Sequence, residues 1–196
     1  MARPKEFDVD VALDAAKALF WEKGFEATST EDLRLAMGIG RQSFYDSFRG
    51  KREVFLTVLG RYIDERFAQT TALLGSRSPL AGLERMLSAV AAETPAERAR
   101  GCFGVSSMCE LGTSDEDVRA LGERSTKRVI HAIADCLRRA KEAGQVSPQL
   151  RERDAAAHLH ATMVGMRVLA KGGARPEMLR GTASTAVRAL KAPVSK

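Results

Sequence analysis

The stretch TSTEDLRLAMGIGRQSFYDSFRGKR, residues 28–52, decides the fold because it predicts two short helices joined by a tight turn. Thr28 and Ser29 are each followed three residues later by an acid, which is the spacing of a capping box at the start of a helix. Gly38 marks the end of this first helix, since glycine readily adopts the positive φ that such a turn requires. A second helix is predicted over residues 41–47. The stretch therefore predicts a helix-turn-helix.

The predicted second helix has an aromatic side and a polar side. Phe44 and Phe48 lie four residues apart and are predicted to face the interior. The opposite side carries a guanidinium, a carboxamide and hydroxyls, which suit base edges and phosphates in the major groove of DNA. We therefore predict double-stranded DNA as a partner, read by the first turn of this helix. Base contacts are expected from Arg41, Gln42 and Ser43, and backbone contacts from Thr30, Tyr45 and Lys51.

Within the N-terminal third of the chain, positive charge is concentrated around this segment. Residues 1–66 hold 11 Lys/Arg against 12 Asp/Glu, whereas residues 33–52 hold five Lys/Arg and a single acid. This local patch coincides with the predicted helix pair and suits phosphate contacts. Arg3 and Lys5 are expected to add an arm along the DNA backbone. The complete predicted DNA-binding set is Thr30, Arg34, Gly40, Arg41, Gln42, Ser43, Phe44, Tyr45 and Lys51.

The segment GFEATSTEDLRLAMGIGRQSFYDSFRGKREVF, residues 24–55, resembles the DNA-binding domain of the tetracycline-repressor-like (TetR/AcrR) family of transcriptional regulators. It combines Gly24 and an aromatic residue after the first helix, the Thr/Ser pair, and the G-[IV]-x-x-x-[STG]-[LF]-Y core of the turn and recognition helix. Phe48 and Lys51 complete the pattern. The resemblance covers about residues 7–60, and the rest of the chain resembles the family in length and helical texture.

Two residues depart from the family pattern. Arg34 stands where the family usually has a small residue, and Gly40 where a serine or threonine is common. Both lie near the predicted DNA face, so the departures bear on the preferred DNA site more than on the function. The resemblance implies an effector-responsive regulator, most often a repressor, that binds a near-palindromic operator as a homodimer.

Hydrophobic periodicity and Gly/Pro breaks predict an all-α fold for the whole chain. The expected architecture is a three-helix DNA-binding domain over residues 1–52, with a linking helix from 51, and a larger ligand-binding and dimerisation domain over 53–196. No repeat or low-complexity segment interrupts it, and the tail APVSK is expected to fray. Outside the helix-turn-helix, helices are predicted over 9–23, 51–74, 80–93, 96–111, 115–143, 151–171 and 175–190.

Composition argues against several other classes of protein. No window holds 18 apolar residues and the N-terminus has no apolar signal core, so the expected location is the cytoplasm, with no membrane contact. The three cysteines show no spacing typical of zinc or of a disulfide framework. No catalytic motif, phosphate loop or HExxH spacing is present, so we expect no enzyme activity, no metal and no cofactor.

A homodimer is expected through two long helices. The 115–143 helix has an apolar stripe that includes Ile133 and Leu137, and the 151–171 helix has one that includes Leu159 and Met166. Small residues on the latter permit close helix approach. By resemblance to the family, such a pair would form a four-helix bundle with its symmetry mate. Closure of an intrachain core by these stripes is the alternative.

A small-molecule effector of unknown identity is expected to bind the second domain. The segment RGCFGVSSMCEL, residues 100–111, mixes thiols, hydroxyls and apolar side chains, and methionines in other helices would add an adaptable wall. Ordinary core packing is the alternative interpretation of these residues. The predicted ligand-binding set is Cys102, Phe103, Ser106, Cys109, Met163 and Arg167.

The sequence is also compatible with two alternative functions. Cys102 follows Arg98 and Arg100 near a predicted helix N-terminus, where positive charge lowers a thiol pKa, so it is a candidate sensor of electrophiles or oxidants. An inert packed thiol is the competing interpretation. A nonspecific architectural DNA-binding protein is the other alternative, and the many acids in residues 1–66 argue against it.

Overall fold

The computed structural model describes residues 7–191, and this part of the chain contains ten α-helices and no β-strand. The predicted all-α fold is confirmed. The predicted arm at Arg3 and Lys5 and the tail 192–196 lie outside the described residues. The helices are α1 (Val9–Lys23), α2 (Thr30–Met37), α3 (Arg41–Ser47), α4 (Lys51–Leu74), α5 (Pro79–Ala92), α6 (Pro95–Arg100), α7 (Phe103–Leu111), α8 (Glu116–Glu142), α9 (Glu152–Lys171) and α10 (Pro176–Arg188).

The described residues divide into two compact units. The first comprises the chain up to Asp64 together with Phe103–Gly122, and the second comprises Glu65–Cys102 together with the chain from Glu123 onwards. The first unit therefore contains α1, α2, α3, most of α4, and also α7. The predicted boundary at residue 52, between the DNA-binding domain and the ligand-binding and dimerisation domain, stays a prediction.

Aromatic side chains from three helices, α1, α4 and α7, pack together in the core of the first unit. Phe20 of α1 and Phe55 of α4 are buried, with ring centroids 5.0 Å apart in an edge-to-face arrangement. Phe103 of α7 joins them at 5.8 Å from Phe55 and 5.6 Å from Tyr62. Such pairs stabilise beyond the apolar area that they bury. The core thus fixes α1, α4 and α7 to one another.

The predicted helix over residues 96–111 is wrong, because two helices occupy this segment. Gly101 has φ 74° and ψ −154°, a conformation that no helix can continue through and that side-chain-bearing residues rarely adopt. A Cβ at this position would lie 2.8 Å from Cδ of Lys171. The break ends α6 at Arg100, and α7 begins at Phe103, directly after Cys102.

The second unit is a helical core built by α5, α8, α9 and α10. Ile133 and Leu137 of α8 are fully buried in this core, as are Leu159 and Leu179 of the neighbouring helices. The expectation that the apolar stripes of α8 and α9 face a second copy of the chain is therefore wrong, because Met166 of the α9 stripe is buried as well. Both stripes close the core of their own unit, and the exposed side of α8 is mostly charged.

Within residues 7–191, none of the helices combines the length and the apolar character needed to cross a membrane.

Candidate nucleic-acid interface

The start of α2 is fixed by the predicted capping box. The Ser29 hydroxyl accepts a hydrogen bond from the Asp32 amide at 3.0 Å, and the Asp32 carboxylate accepts one from the Ser29 amide, also at 3.0 Å. The Ser29 amide and hydroxyl both donate to the Asp32 carboxylate, and these two bonds hold the pKa of Asp32 below its ordinary value. Thr28 is buried, and its hydroxyl donates to the Gly24 carbonyl at 2.6 Å. These hydrogen bonds therefore fix the backbone where the chain enters the α2–α3 helix pair.

The turn between α2 and α3 is stabilised by a glycine and an arginine. Gly38 adopts the left-handed conformation, with φ 66° and ψ 28°. Arg34 donates from Nη1 to the Ile39 carbonyl at 3.1 Å, while its Nε and Nη2 donate to the Glu31 carboxylate at 3.1 and 2.6 Å. The same contact lowers the pKa of Glu31. The departure from the family pattern at Arg34 thus has a structural role in supporting the turn.

Helix α3 presents the side chains that were predicted to contact bases. Arg41 and Gln42 are exposed, Ser43 is half-exposed, and the Tyr45 side chain is 51% exposed. The Gln42 amide donates to the Asp46 carboxylate at 2.9 Å, which orients its carboxamide along the helix surface. These side chains of α3 are therefore accessible to a groove of DNA.

Phe44 belongs to the opposite side of α3. Its side chain is fully buried and contacts the buried Phe48, with ring centroids 5.8 Å apart. A side chain without exposed surface cannot contact DNA, so Phe44 acts by holding α3 in place. Gly40 is the N-cap of α3 and, unlike serine or threonine, supplies no side-chain hydrogen bond there.

Two predicted backbone contacts lie at the starts of α2 and α4. Thr30 is half-buried in the first turn of α2. Lys51 is half-buried, donates from Nζ to the Phe25 carbonyl at 2.8 Å, and lies 4.1 Å from the centre of the Phe25 ring. An ammonium has three donors, so two remain for a phosphate.

Sequence analysis did not identify Asp115 and Asp117, which are distant in the sequence and bind Arg52 at the start of α4. Arg52 donates from Nε and Nη2 to Asp115 at 2.8 and 3.0 Å, and from Nη2 to Asp117 at 2.7 Å. Asp115 also accepts from the Val118 amide at 3.1 Å, at the start of the helix predicted from residue 115. The signal that was overlooked is an Arg directly after the predicted anchor lysine, but its partners lie more than 60 residues away.

Comparison with known protein families gives two matches to this chain. A family model described as bacterial regulatory proteins of the tetR family matches residues 12–58. A second, described as a tetracyclin repressor-like C-terminal domain, matches residues 79–190, more than half of the chain. The chain belongs to the TetR family. Members of this family are DNA-binding transcriptional regulators and not enzymes, whereas the assignment of DNA reading to α2 and α3 stays a prediction.

Relatives of known name support the assignment over nearly the full length. The transcriptional repressor ComR of Escherichia coli K12 is 34% identical, with 95% of this chain and 90% of ComR covered. The repressor BdcR of the same organism is 26% identical over 96% of this chain and 92% of its own length. A structure of the TetR-family regulator CifR with 26-bp double-stranded operator DNA has a TM-score of 0.83 and 27% identity, and covers 95% of this chain and 99% of CifR.

The predicted effector-binding residues are divided between the two units. In the first unit, Phe103 is a core residue with 2% exposure, whereas Ser106 is half-buried and Cys109 is exposed. A buried ring that packs on Phe55 and Tyr62 serves the core, which is the alternative interpretation given for this segment. In the second unit, Cys102 and Met163 are half-buried, and Arg167 is 10% exposed and paired with Glu93 at 2.9 Å. Their role in ligand binding stays a prediction.

Proposed function

We propose that this TetR-family regulator is a homodimeric repressor that binds a near-palindromic operator and is released by a small-molecule effector. The observation that carries the proposal is the helix pair α2 and α3, with Arg41 and Gln42 exposed on a helix fixed by buried Phe44. The operator complex of CifR and the description of ComR and BdcR as repressors support it. Two such helix pairs in a symmetric dimer would meet two half-sites about one helical turn of DNA apart.

Dimerisation is proposed through the exposed side of α9 and its neighbour α10. A stripe of Ala157, Ala161, Gly165 and Val168 recurs every three or four residues on the exposed side of α9, and Val168 is 54% exposed. Met178 of α10 is also 54% exposed. Small and apolar residues on an exposed helix surface permit close packing against a second helix pair. We therefore propose the interface on α9 and α10, and not on α8.

An effector site is proposed in the second unit around Arg167. Arg167 and Glu93 form an ion pair that is largely withdrawn from water, and Arg66 lies 3.7 Å from the same carboxylate oxygen. Burying charges is costly, so such pairs are often retained for specificity or switching. Met163, one turn from Arg167, is half-buried and packs against the apolar core. An effector with a polar and an apolar part would suit this combination.

Cys102 stays the candidate for a thiol sensor, because it follows Arg98 and Arg100 near a helix N-terminus. Cys102 is half-buried and directly precedes α7, while Cys109 is exposed. Cys136 is buried, and burial raises the pKa of its thiol, which makes it the least reactive candidate. If Cys102 is a sensor, a Cys-selective electrophile will weaken operator binding by the wild type and leave a Cys102→Ser variant unaffected.

The decisive experiment is binding of the purified protein to the DNA upstream of its own gene, across a salt series and against a scrambled duplex. We expect a clear preference for the upstream DNA at moderate salt and a footprint of two half-sites. Compounds are then screened for those that abolish the preference. Equal and steeply salt-dependent binding to both duplexes would instead favour an architectural protein.

A further inference from the structure

Glu110, near the end of α7, makes two hydrogen bonds to the turn that precedes the DNA-reading helices. Its Oε2 accepts from the Phe25 amide at 3.1 Å, and its Oε1 accepts from the Glu26 amide at 2.9 Å. The two residues lie 85 and 84 positions away in the sequence. A carboxylate that receives two backbone amides forms stronger hydrogen bonds than a neutral acceptor would.

The close approach of Glu110 depends on Gly24. Gly24 has φ 81°, and a Cβ at this position would lie 3.0 Å from Oε2 and 3.1 Å from Oε1 of Glu110. The glycine that ends α1 therefore also makes room for the carboxylate. The turn is shaped both by its own sequence and by a residue of α7.

Phe25 connects Glu110 to Lys51, the predicted phosphate anchor. The amide of Phe25 is held by Glu110, while its carbonyl accepts from Lys51 Nζ at 2.8 Å and its ring lies under the ammonium. A displacement of Phe25 therefore moves both contacts of Lys51. Through this one residue, α7 sets the position of a side chain at the start of α4.

The next residue of α4 is held by the segment that follows α7. Arg52 is bound by Asp115 and Asp117, which lie at the start of α8, and Asp115 is itself only 17% exposed. These contacts hold the pKa of Asp115 below its ordinary value. Arg52 is thus bound directly to the 110–117 segment, and Lys51 is connected to it indirectly, through Phe25.

We propose that Glu110 is a positioning residue for DNA recognition: it fixes the turn at Phe25 and Glu26, and thereby holds Lys51 where it meets the DNA backbone. The inference rests on the proposed contact of Lys51 with phosphate. It assigns to α7 a part in DNA binding, although the sequence suggested only a wall of an effector site.

Electrostatics and positioning predict opposite signs for the loss of Glu110. If Glu110 acted only through its charge, removing a carboxylate from a DNA-binding unit would leave binding to a polyanion unchanged or strengthen it. If Glu110 acts by positioning, the same change weakens binding. The sign of the effect therefore separates the two roles.

The test compares Glu110→Ala and Glu110→Gln with the matched control Glu116→Ala, which removes a carboxylate that is 88% exposed. We expect Glu110→Ala to weaken binding to the upstream DNA about tenfold, and Glu110→Gln to weaken it less because one acceptor remains. Hydrogen exchange of the peptide that covers residues 24–29 is expected to accelerate in the same order. Glu116→Ala is expected to leave both measurements unchanged.

A double-mutant cycle with Lys51→Ala distinguishes positioning from general destabilisation. If Glu110 acts through Lys51, Glu110→Ala will cause little further loss of affinity in the Lys51→Ala background. Additive losses, or unchanged exchange over residues 24–29, would overturn the inference. If the wild type shows no preference for the upstream DNA, the operator proposal fails, and the inference is then decided by the exchange and by the affinity for the scrambled duplex at low salt.

Discussion

At the scale of single residues, α3 separates the side chains that hold the fold from those available to DNA. Phe44 is fully buried and Gln42, two residues earlier, is exposed and oriented by Asp46. The alternation follows from the helical period, because residues two apart lie on nearly opposite sides of a helix. Specificity and stability can therefore be changed separately in this helix.

We expect Gln42→Ala to relax base preference at one position of each half-site, because a carboxamide discriminates between bases by bidentate hydrogen bonding. The expected loss of discrimination is about 1–3 kcal/mol at that position. It is measured by competition binding with operators altered at single base pairs. Lys51→Ala is the contrasting variant, expected to weaken all sequences alike and to reduce the salt dependence by about one phosphate contact. Identical profiles for the two variants would refute this division of roles.

At the scale of elements, the ion pairs of Arg52 connect α4 to the start of α8. The pKa of Asp115 is lowered in the folded protein by Arg52 and by the amides of the α8 first turn. Since the folded pKa lies below that of the unfolded chain, the contribution of this carboxylate to stability is fully present above the unfolded value. It is lost as the pH falls through the folded value.

The Asp115→Asn variant is therefore expected to have a lower thermal unfolding midpoint than the wild type at pH 7, and the gap should narrow as the pH falls towards 3. The measurement is the unfolding midpoint of both proteins between pH 7 and pH 3. Glu116→Gln, which removes the neighbouring exposed carboxylate, serves as the control and should follow the wild type. A gap that is constant with pH would mean that Asp115 stabilises the fold by packing and not by its charge.

The elements that sequence predicts well are those with local signals. The bounds of α2 and α3 follow from the Ser29 capping box and from Gly38, both of which act within a few residues. The break at Gly101 was missed because a single glycine between two helical patterns does not by itself end a helix. The contacts of Glu110 could not be predicted at all, since they depend on how α7 folds back onto a turn 85 residues earlier.

At the scale of the whole molecule, the location of the proposed dimer interface depends on which surfaces the core leaves exposed. Periodicity identified apolar stripes on α8 and α9, and the core covers both of them, including Ile133 of α8 and Leu159 of α9. Val168, on another side of α9, is left exposed. Small residues on the same side of α9 were visible in the sequence, but their exposure follows only from tertiary packing.

Val168→Glu is expected to convert the proposed dimer to a monomer, because each copy would bring a carboxylate into an interface proposed to be apolar. The dimer dissociation constant should rise by about a hundredfold or more, since like-charge juxtaposition in an interface costs several kcal/mol. Sedimentation velocity across a concentration series measures this. Operator binding should weaken in parallel, because a monomer meets a single half-site.

Arg124→Glu on the exposed, charged side of α8 is the matched control for this last prediction. It also introduces a carboxylate on a long helix of the second unit, but outside the proposed interface, so the dimer should persist. Helix content by circular dichroism must match the wild type in both variants, which separates dissociation from unfolding. A Val168→Glu protein that remains dimeric would exclude this surface of α9, whereas dissociation of Arg124→Glu alone would return the interface to α8.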